Sequence, residues 1–288
     1  MELCGSKTEI RNCVSAWKQE GLRIGFVPTM GALHEGHLSL MRTARQECDR
    51  LVVSIYVNPT QFDREDDLSV YPSDLDGDKE KLRQVSCDAL FTINNKDMYP
   101  EEFSTWVLPE GSLVQGLCGK SRGSHFKGVT TIVAKLFNIV GAHKAYFGQK
   151  DYQQFAIIQR MVRDLDIPIE VSSCPTVREV DGLALSSRNQ LLEEEDRKRA
   201  LILAKSLSWA VSAYKSGEVQ AAALLAEMSR LIENEGGEID YIEFVDCESL
   251  KVKETLDDRS VIAMAVFFGA VRLIDNHRLN NDFPVKFS

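Results

Sequence analysis

Short, almost wholly apolar runs alternate with longer stretches of helical spacing through the first part of the chain. Ile24-Gly25-Phe26-Val27 and residues 51–57, 89–93 and 145–147 are too short and too uniformly apolar for amphipathic helices. They read as strands buried on both faces, as in a parallel sheet. Between them apolar residues recur at intervals of three and four, most clearly at Val129, Ile132, Val133, Leu136 and Phe137 within 128–140. Helices are also expected over 7–20, from Gly36 onward, over 78–85 and over 151–165, with a last strand over 167–171. Strand and helix in alternation predict a Rossmann-like α/β fold, a doubly wound parallel sheet.

The pattern changes after Pro175. A single long helix is expected over 193–214, apolar at Ala200, Leu203, Ala204, Leu207, Ala210, Val211 and Tyr214, and a second over 219–232. Strands follow at 241–245, 261–268 and 271–274, the last two as a hairpin. The expectation is a sheet domain over residues 1–176 and a smaller α+β lid domain over 177–288. Ligands of open α/β sheets bind beyond the carboxyl ends of the strands. That singles out 28–37, 58–62 and 148–151.

Composition narrows the class. The 288 residues are 44% hydrophobic and 27% charged, ordinary for a globular protein with a substantial core. A net charge of −9 with no basic stripe argues against a nucleic-acid surface. The amino terminus lacks a signal-peptide pattern, and no apolar run reaches membrane-spanning length. Seven cysteines, odd in number and without a C-x-x-C pair, read as reduced thiols of a cytoplasmic protein.

The chemistry concentrates at strand ends. Pro28-Thr29-Met30-Gly31-Ala32-Leu33-His34-Glu35-Gly36-His37 hands a buried strand over to a helix. The first turn of such a helix offers unpaired N–H groups and a positive dipole end to phosphate, and two imidazoles can add hydrogen bonds. The zinc-protease reading fails, because it needs histidines four apart on one helical face. Asn58-Pro59-Thr60-Gln61-Phe62 follows another strand and reads as a turn, or as amides orienting a small substrate. Tyr71-Pro72-Ser73-Asp74-Leu75-Asp76-Gly77-Asp78 lacks the glycine and glutamate of a calcium loop, but one aspartate suffices for Mg²⁺ carried by phosphates. Gly119-Lys120-Ser121-Arg122-Gly123 fits neither a P-loop nor a nucleophile elbow, leaving Arg122 and His125 as anion-facing candidates beside the helix expected from Gly128. At Gly148-Gln149-Lys150-Asp151, Lys150 offers a point charge to phosphate and Asp151 a partner for ribose or a helix cap. Ser186-Ser187-Arg188-Asn189 suits a loop over a triphosphate.

Taken in order, these segments resemble the pantothenate synthetase (pantoate–β-alanine ligase) family of the nucleotidylyltransferase superfamily, whose sheet carries an HxGH motif, over nearly the whole chain. The resemblance implies an ATP-dependent ligase of the coenzyme A pathway. In that family ATP and pantoate form pantoyl-adenylate and pyrophosphate, and β-alanine then displaces AMP. It implies His34, His37 and Lys150 as catalytic donors to phosphate. Met30, Gln61 and Gln154 are implied for pantoate. For ATP the implied set is Met30, Gly36, His37, Gly148, Gln149, Lys150, Asp151, Val177, Leu185, Ser186, Ser187 and Arg188. Asp78 is implied for Mg²⁺; Tyr71, Arg122 and His125 are assigned to the cavity only generally. A homodimer is implied, with small-molecule partners and neither nucleic acid nor membrane. Three departures stand out: Gly77 in place of an acid beside Asp78, Leu185 where methionine is usual, and Gly123-Ser124 in place of Pro-Gly.

Overall fold

In the computed structural model, which describes residues 1–62, 68, 71–285 and 287, the apolar runs of the first part lie side by side. The strands are β1 (Glu2–Cys4), β2 (Ile24–Thr29), β3 (Arg50–Ile55), β4 (Ala89–Thr92), β5 (Lys144–Gly148) and β6 (Glu170–Cys174). They pair in parallel in the order β1-β4-β3-β2-β5-β6. From β2 the chain builds outward to β3 and β4 on one side and to β5 and β6 on the other. The β2/β5 pair is therefore the topological switch point, where α/β sheets of this kind bind ligands. Ile24, Phe26, Val27, Leu51, Val52 and Val53 are wholly buried in this sheet.

Two compact units divide the chain. The first is Met1–Pro109, Arg122–Gly148 and Ile157–Cys174; the second is Glu110–Ser121, Gln149–Ala156 and Pro175–Ser288. In the second, β7 (Glu238–Asp246), β8 (Ser260–Phe268) and β9 (Val271–Arg278) form an antiparallel sheet in sequence order. Helices Ile202–Lys215 and Ala221–Asn234 bury Leu203, Leu207, Leu224, Met228 and Ile232 with Phe244, Ile262, Met264 and Phe268 of the strands. Gly269, at φ +56°, turns the β8–β9 hairpin.

Several expected boundaries move. The last strand of the parallel sheet is Glu170–Cys174 rather than 167–171, because Asp166 (φ +49°) and Pro168 occupy the connection from the helix Tyr152–Asp164. The single helix expected over 193–214 is two, Glu194–Arg199 and Ile202–Lys215; at the junction Leu201 N and Leu203 N donate three residues back, to Lys198 O and Ala200 O. The helix expected from residue 78 is Leu75–Gln84, capped by Asp74 accepting from Gly77 N at 3.0 Å. The helix expected from Gly128 begins at His125.

Candidate active site

At the end of β2, Thr29 Oγ1 donates to Ser54 O (2.8 Å) and accepts from Gly31 N (3.3 Å), tying the chain's exit to the neighbouring strand. Gly31 (φ +87°) and Ala32 (φ +51°) both take the left-handed conformation, which turns the chain sharply into the helix Glu35–Glu47. His34 is the N-cap of that helix, and its Nδ1 accepts from Gly36 N at 3.1 Å. His37 answers from the first turn: its Nδ1 accepts from His34 N at 3.3 Å, a capping box built from two imidazoles. Only a lone pair accepts an N–H, so each ring in this cap has an unprotonated Nδ1. The neutral rings carry their protons on Nε2, and both are donors. The rings lie 4.1 Å apart at 37°. Gly36 makes room for this, since a Cβ there would meet His34 Cε1 at 2.8 Å.

The turn is clamped from the helix Leu75–Gln84. Asp78, 1% exposed, accepts from Leu33 N at 2.7 Å, and Lys81 Nζ donates to Leu33 O at 2.8 Å. A Cβ on Gly31 would lie 3.1 Å from the other Asp78 oxygen, so carboxylate and turn are in close contact. Asp78, Met30, Gly31, Tyr56, Val57 and Asn94 are among the residues lining a cavity of about 280 Å³ in this unit. Gly77 also has a local reason: a Cβ there would lie 2.1 Å from the capping carboxylate of Asp74.

Beside β3, Asn58 is 1% exposed and organises the turn Pro59–Gln61. Its Nδ2 donates to Gln61 Oε1 (3.0 Å) and Gly128 O (3.2 Å), while its Oδ1 accepts from Thr60 Oγ1 (2.9 Å) and Tyr99 OH (3.0 Å). Gln61 Nε2 then reaches Met30 Sδ at 3.1 Å, so two of the three residues expected at pantoate stand together. His125 stands behind the same turn. It is buried in the first turn of the helix His125–Val140, with Nδ1 2.7 Å from Gln61 O, where it supports the turn. Arg122 and Tyr71 are half-buried, Tyr71 edge-on to Phe62.

In the second unit Lys150, Ser186, Arg188, Asn189, Arg272 and Asp275 line one pocket, so three of the residues expected at ATP share a wall. Ser186 Oγ accepts from Arg188 N at 3.3 Å and caps the short turn Ser187–Leu191. Val177 O accepts from Leu185 N at 2.9 Å, placing the pair on facing arms of a hairpin-like loop. Ser187, Arg188 and Asp151 are exposed; Gly148, Gln149, Lys150 and Gln154 are half-buried. Gln153, which the motif reading passes over, is buried: Nε2 donates to Leu113 O and Gly116 O (2.9 and 3.0 Å), and Oε1 accepts from Gly119 N.

All seven cysteines are free thiols, five of them buried. Glu2, Cys4 and Cys13 bring ligand-type atoms within 4.8 Å of one another. Burial first, then Glu2, pushes the Cys13 thiol up to about 12, which holds it as a packed, protonated group.

Residues 2–278 match the family described as Pantoate-beta-alanine ligase. The chain belongs to that family. Among relatives, the pantothenate synthetase of Moorella thermoacetica is 50% identical over 277 residues, 96% of this chain and 98% of its own. That of Enterococcus faecalis is 49% identical over 269 residues, 93% and 95% of the two chains. The crystal structure of pantothenate synthetase from Thermus thermophilus superimposes with a TM-score of 0.88 at 40% identity, covering 98% of this chain and all of the other. The pantoate–β-alanine ligase of Francisella tularensis, crystallised with β,γ-ATP and β-alanine, gives 0.79 at 34% identity, covering 98% of each chain. Membership accounts for the ordered motifs of the sequence and for a sheet whose switch point faces the HxGH turn. Among the described residues, no helix is long and apolar enough to cross a membrane.

Proposed function

We propose that this chain joins pantoate to β-alanine at the expense of ATP, through pantoyl-adenylate. A pantoate carboxylate oxygen attacks the α-phosphorus, the bond to the bridging oxygen breaks, and pyrophosphate leaves. The β-alanine amine then attacks the acyl carbon, loses a proton, and AMP departs. Charge grows on phosphate oxygens in the first half, so fixed donors contribute most there. The observation that carries the reading is the family match over residues 2–278, with which a double-imidazole cap at a helix start agrees.

The roles are distributed as follows. In the first unit His34 and His37 donate to phosphate, Gly36 lets it approach the backbone, and Met30 and Gln61 bound the pantoate. In the second unit Lys150, Ser186, Ser187 and Arg188 meet the phosphates; Gly148, which closes β5 in the first, and Gln149 and Asp151 border the ribose. Val177 and Leu185 border the adenine, and Gln154 contacts pantoate. Mg²⁺ accompanying ATP suits Asp78, a hard oxygen donor lining the cavity, and would supply charge neutralisation. Orientation and exclusion of water from the acyl-phosphate do the rest. Free thiols agree with a cytoplasmic enzyme, and sedimentation is to show a homodimer.

The test is pantoate-dependent exchange of pyrophosphate into ATP, followed by AMP release on adding β-alanine. His37→Ala is to lose most exchange while remaining folded. No exchange by the folded wild-type protein with Mg²⁺ refutes the function. Asp78→Asn keeps an acceptor for Leu33 N and removes the charge, so an unchanged Mg²⁺ requirement refutes the metal assignment alone.

A further inference from the structure

The turn that carries Lys150 is held by a residue far away in sequence. Asn276, on β9 and only 6% exposed, points its side-chain amide at two consecutive carbonyls, Gln149 O (2.9 Å) and Lys150 O (2.8 Å). Both partners are acceptors, so only the NH₂ end of the amide fits there. Its own backbone is fixed next door, where Asn276 N donates to Asp275 Oδ1 at 2.8 Å. Asp275 is in turn gripped by both terminal nitrogens of Arg178, at 2.7 and 3.0 Å, with both side chains almost fully buried. Arg178 also donates to Gly182 O at 3.1 Å, inside the loop that leads to Ser186 and Arg188. One strand thus anchors two segments: the Lys150 turn through Asn276, and the 177–189 loop through Asp275.

We infer that Asn276 is a positioning residue for adenylate formation, setting the Lys150 turn through its two carbonyls. The inference rests on the assignment of Lys150 to the phosphates of ATP. An apolar residue here would fill the space but leave both carbonyls without this donor, so the amide ties the Lys150 turn to β9 as packing alone would not. What it adds is a fixed height for a backbone whose next side chain must meet a phosphate. Misplacement by about 1 Å costs an active site on the order of 10²-fold in rate.

The experiment compares wild type, Asn276→Ala, the isosteric Asn276→Asp, Lys150→Ala and the Lys150→Ala/Asn276→Ala double variant. Asp in this position turns an oxygen toward two carbonyl oxygens, so it keeps the shape and reverses the interaction. Pantoate-dependent pyrophosphate exchange is measured with separate kcat and KM values, together with the rise in unfolding temperature on adding ATP. Both Asn276 variants are expected to lose about 10²-fold in kcat, with the KM for pantoate held, and to lose most of the ATP-induced rise. The double variant is expected to be no slower than Lys150→Ala, because the two residues act through one contact. Wild-type kcat in Asn276→Asp overturns the inference, as does a double variant slowed by the product of the single losses. If Asn276→Ala fails to fold, Asn276→Asp carries the comparison. Failure of wild type to exchange at all strikes the functional reading instead; the ATP-induced rise then still tests Asn276, and its full retention in Asn276→Asp overturns the inference.

Discussion

Replacing Gly128 by alanine is the sharpest probe of how the fold sets the turn Pro59–Gln61. Gly128 sits in the first turns of the helix His125–Val140, against the backbone of the turn Pro59–Gln61. A Cβ there would lie 2.3 Å from Thr60 O, 2.6 Å from Thr60 C and 2.7 Å from Gln61 N. Ordinary contact is near 3.5 Å, so helix and turn must part by about 1 Å. The atoms met are backbone and cannot swing aside. The same separation stretches the 3.2 Å bond from Asn58 Nδ2 to Gly128 O and the 2.7 Å contact of His125 with Gln61 O. Overpacking of this kind costs about 1–3 kcal/mol, and at about 2–4 °C per kcal/mol the unfolding temperature should fall by roughly 2–12 °C. The functional loss should exceed what stability explains, because Gln61 is displaced relative to Met30. A fall on the order of 10²-fold in kcat/KM for pantoate is expected, with KM for ATP changed little. Differential scanning calorimetry and pyrophosphate exchange read the two effects. Gly123→Ala is the control, since a Cβ there has nothing within 4 Å. Wild-type kcat/KM and unfolding temperature in Gly128→Ala would refute the argument that close backbone approach fixes this turn.

Gly148→Ala tests ligand approach separately from folding. A Cβ at Gly148 meets nothing within 4 Å of the protein, so stability should hold while KM for ATP rises several-fold; an unchanged KM removes Gly148 from the nucleotide site. Gly36→Ala should push the His34 ring from its cap, costing about 1 kcal/mol of stability and most of the exchange activity, which equilibrium unfolding and the exchange assay measure. Stability should also fall on acidification. Burial, with Arg178 nearby, holds His277 below its ordinary 6.5, and burial, with Lys18 and Arg23 nearby, does the same for the more exposed His143. Depressed folded values mean that the unfolded chain takes up protons first, so this contribution is present above pH 6.5 and is lost as pH falls through the folded values. Unfolding temperatures between pH 7.5 and 5 should decline less steeply in His277→Gln than in wild type.

Much of the sheet was legible because burial on both faces leaves an uninterrupted apolar run, as in Phe26-Val27 and Leu51-Val52-Val53. β1 escaped because it is three residues long with two exposed, and its only mark is pairing with β4. The helices Asn95–Met98, Ser112–Gln115 and Leu117–Ser121 escaped for a similar reason, being too short to show a period. In the site, residues that act on their own segment were visible. The histidine cap lies within four residues, and Ser186 caps its own turn. Residues that act on a distant backbone were not. Asn58 holds Gly128, Gln153 holds 113–119, and Asn276 holds 149–150, and nothing in a local pattern says which carbonyls lie opposite. One signal was available: Asp275-Asn276 interrupts an apolar strand, and β9 runs on through both to Arg278 although apolar periodicity ends at Ile274. Buried polar pairs within a strand are expensive unless partnered, so their presence marks a structural demand.

The form of the histidine motif follows from what a helix start must satisfy. A helix start near phosphate needs its free N–H groups aimed at the ligand, yet a side-chain cap uses them up. Aspartate at the cap would satisfy the helix but offer no donor to a phosphate. An imidazole does both, because its two nitrogens point in different directions: Nδ1 accepts from the helix and Nε2 carries a proton away from it. His34 Nδ1 accepts from Gly36 N, and His37 Nδ1 accepts from His34 N, so two backbone donors are satisfied by the two rings. The arrangement requires that position 36 have no Cβ, because that atom would occupy the space of the first ring. Spacing, glycine and tautomer are thus consequences of one geometric demand, and changing any of the three should disturb the other two.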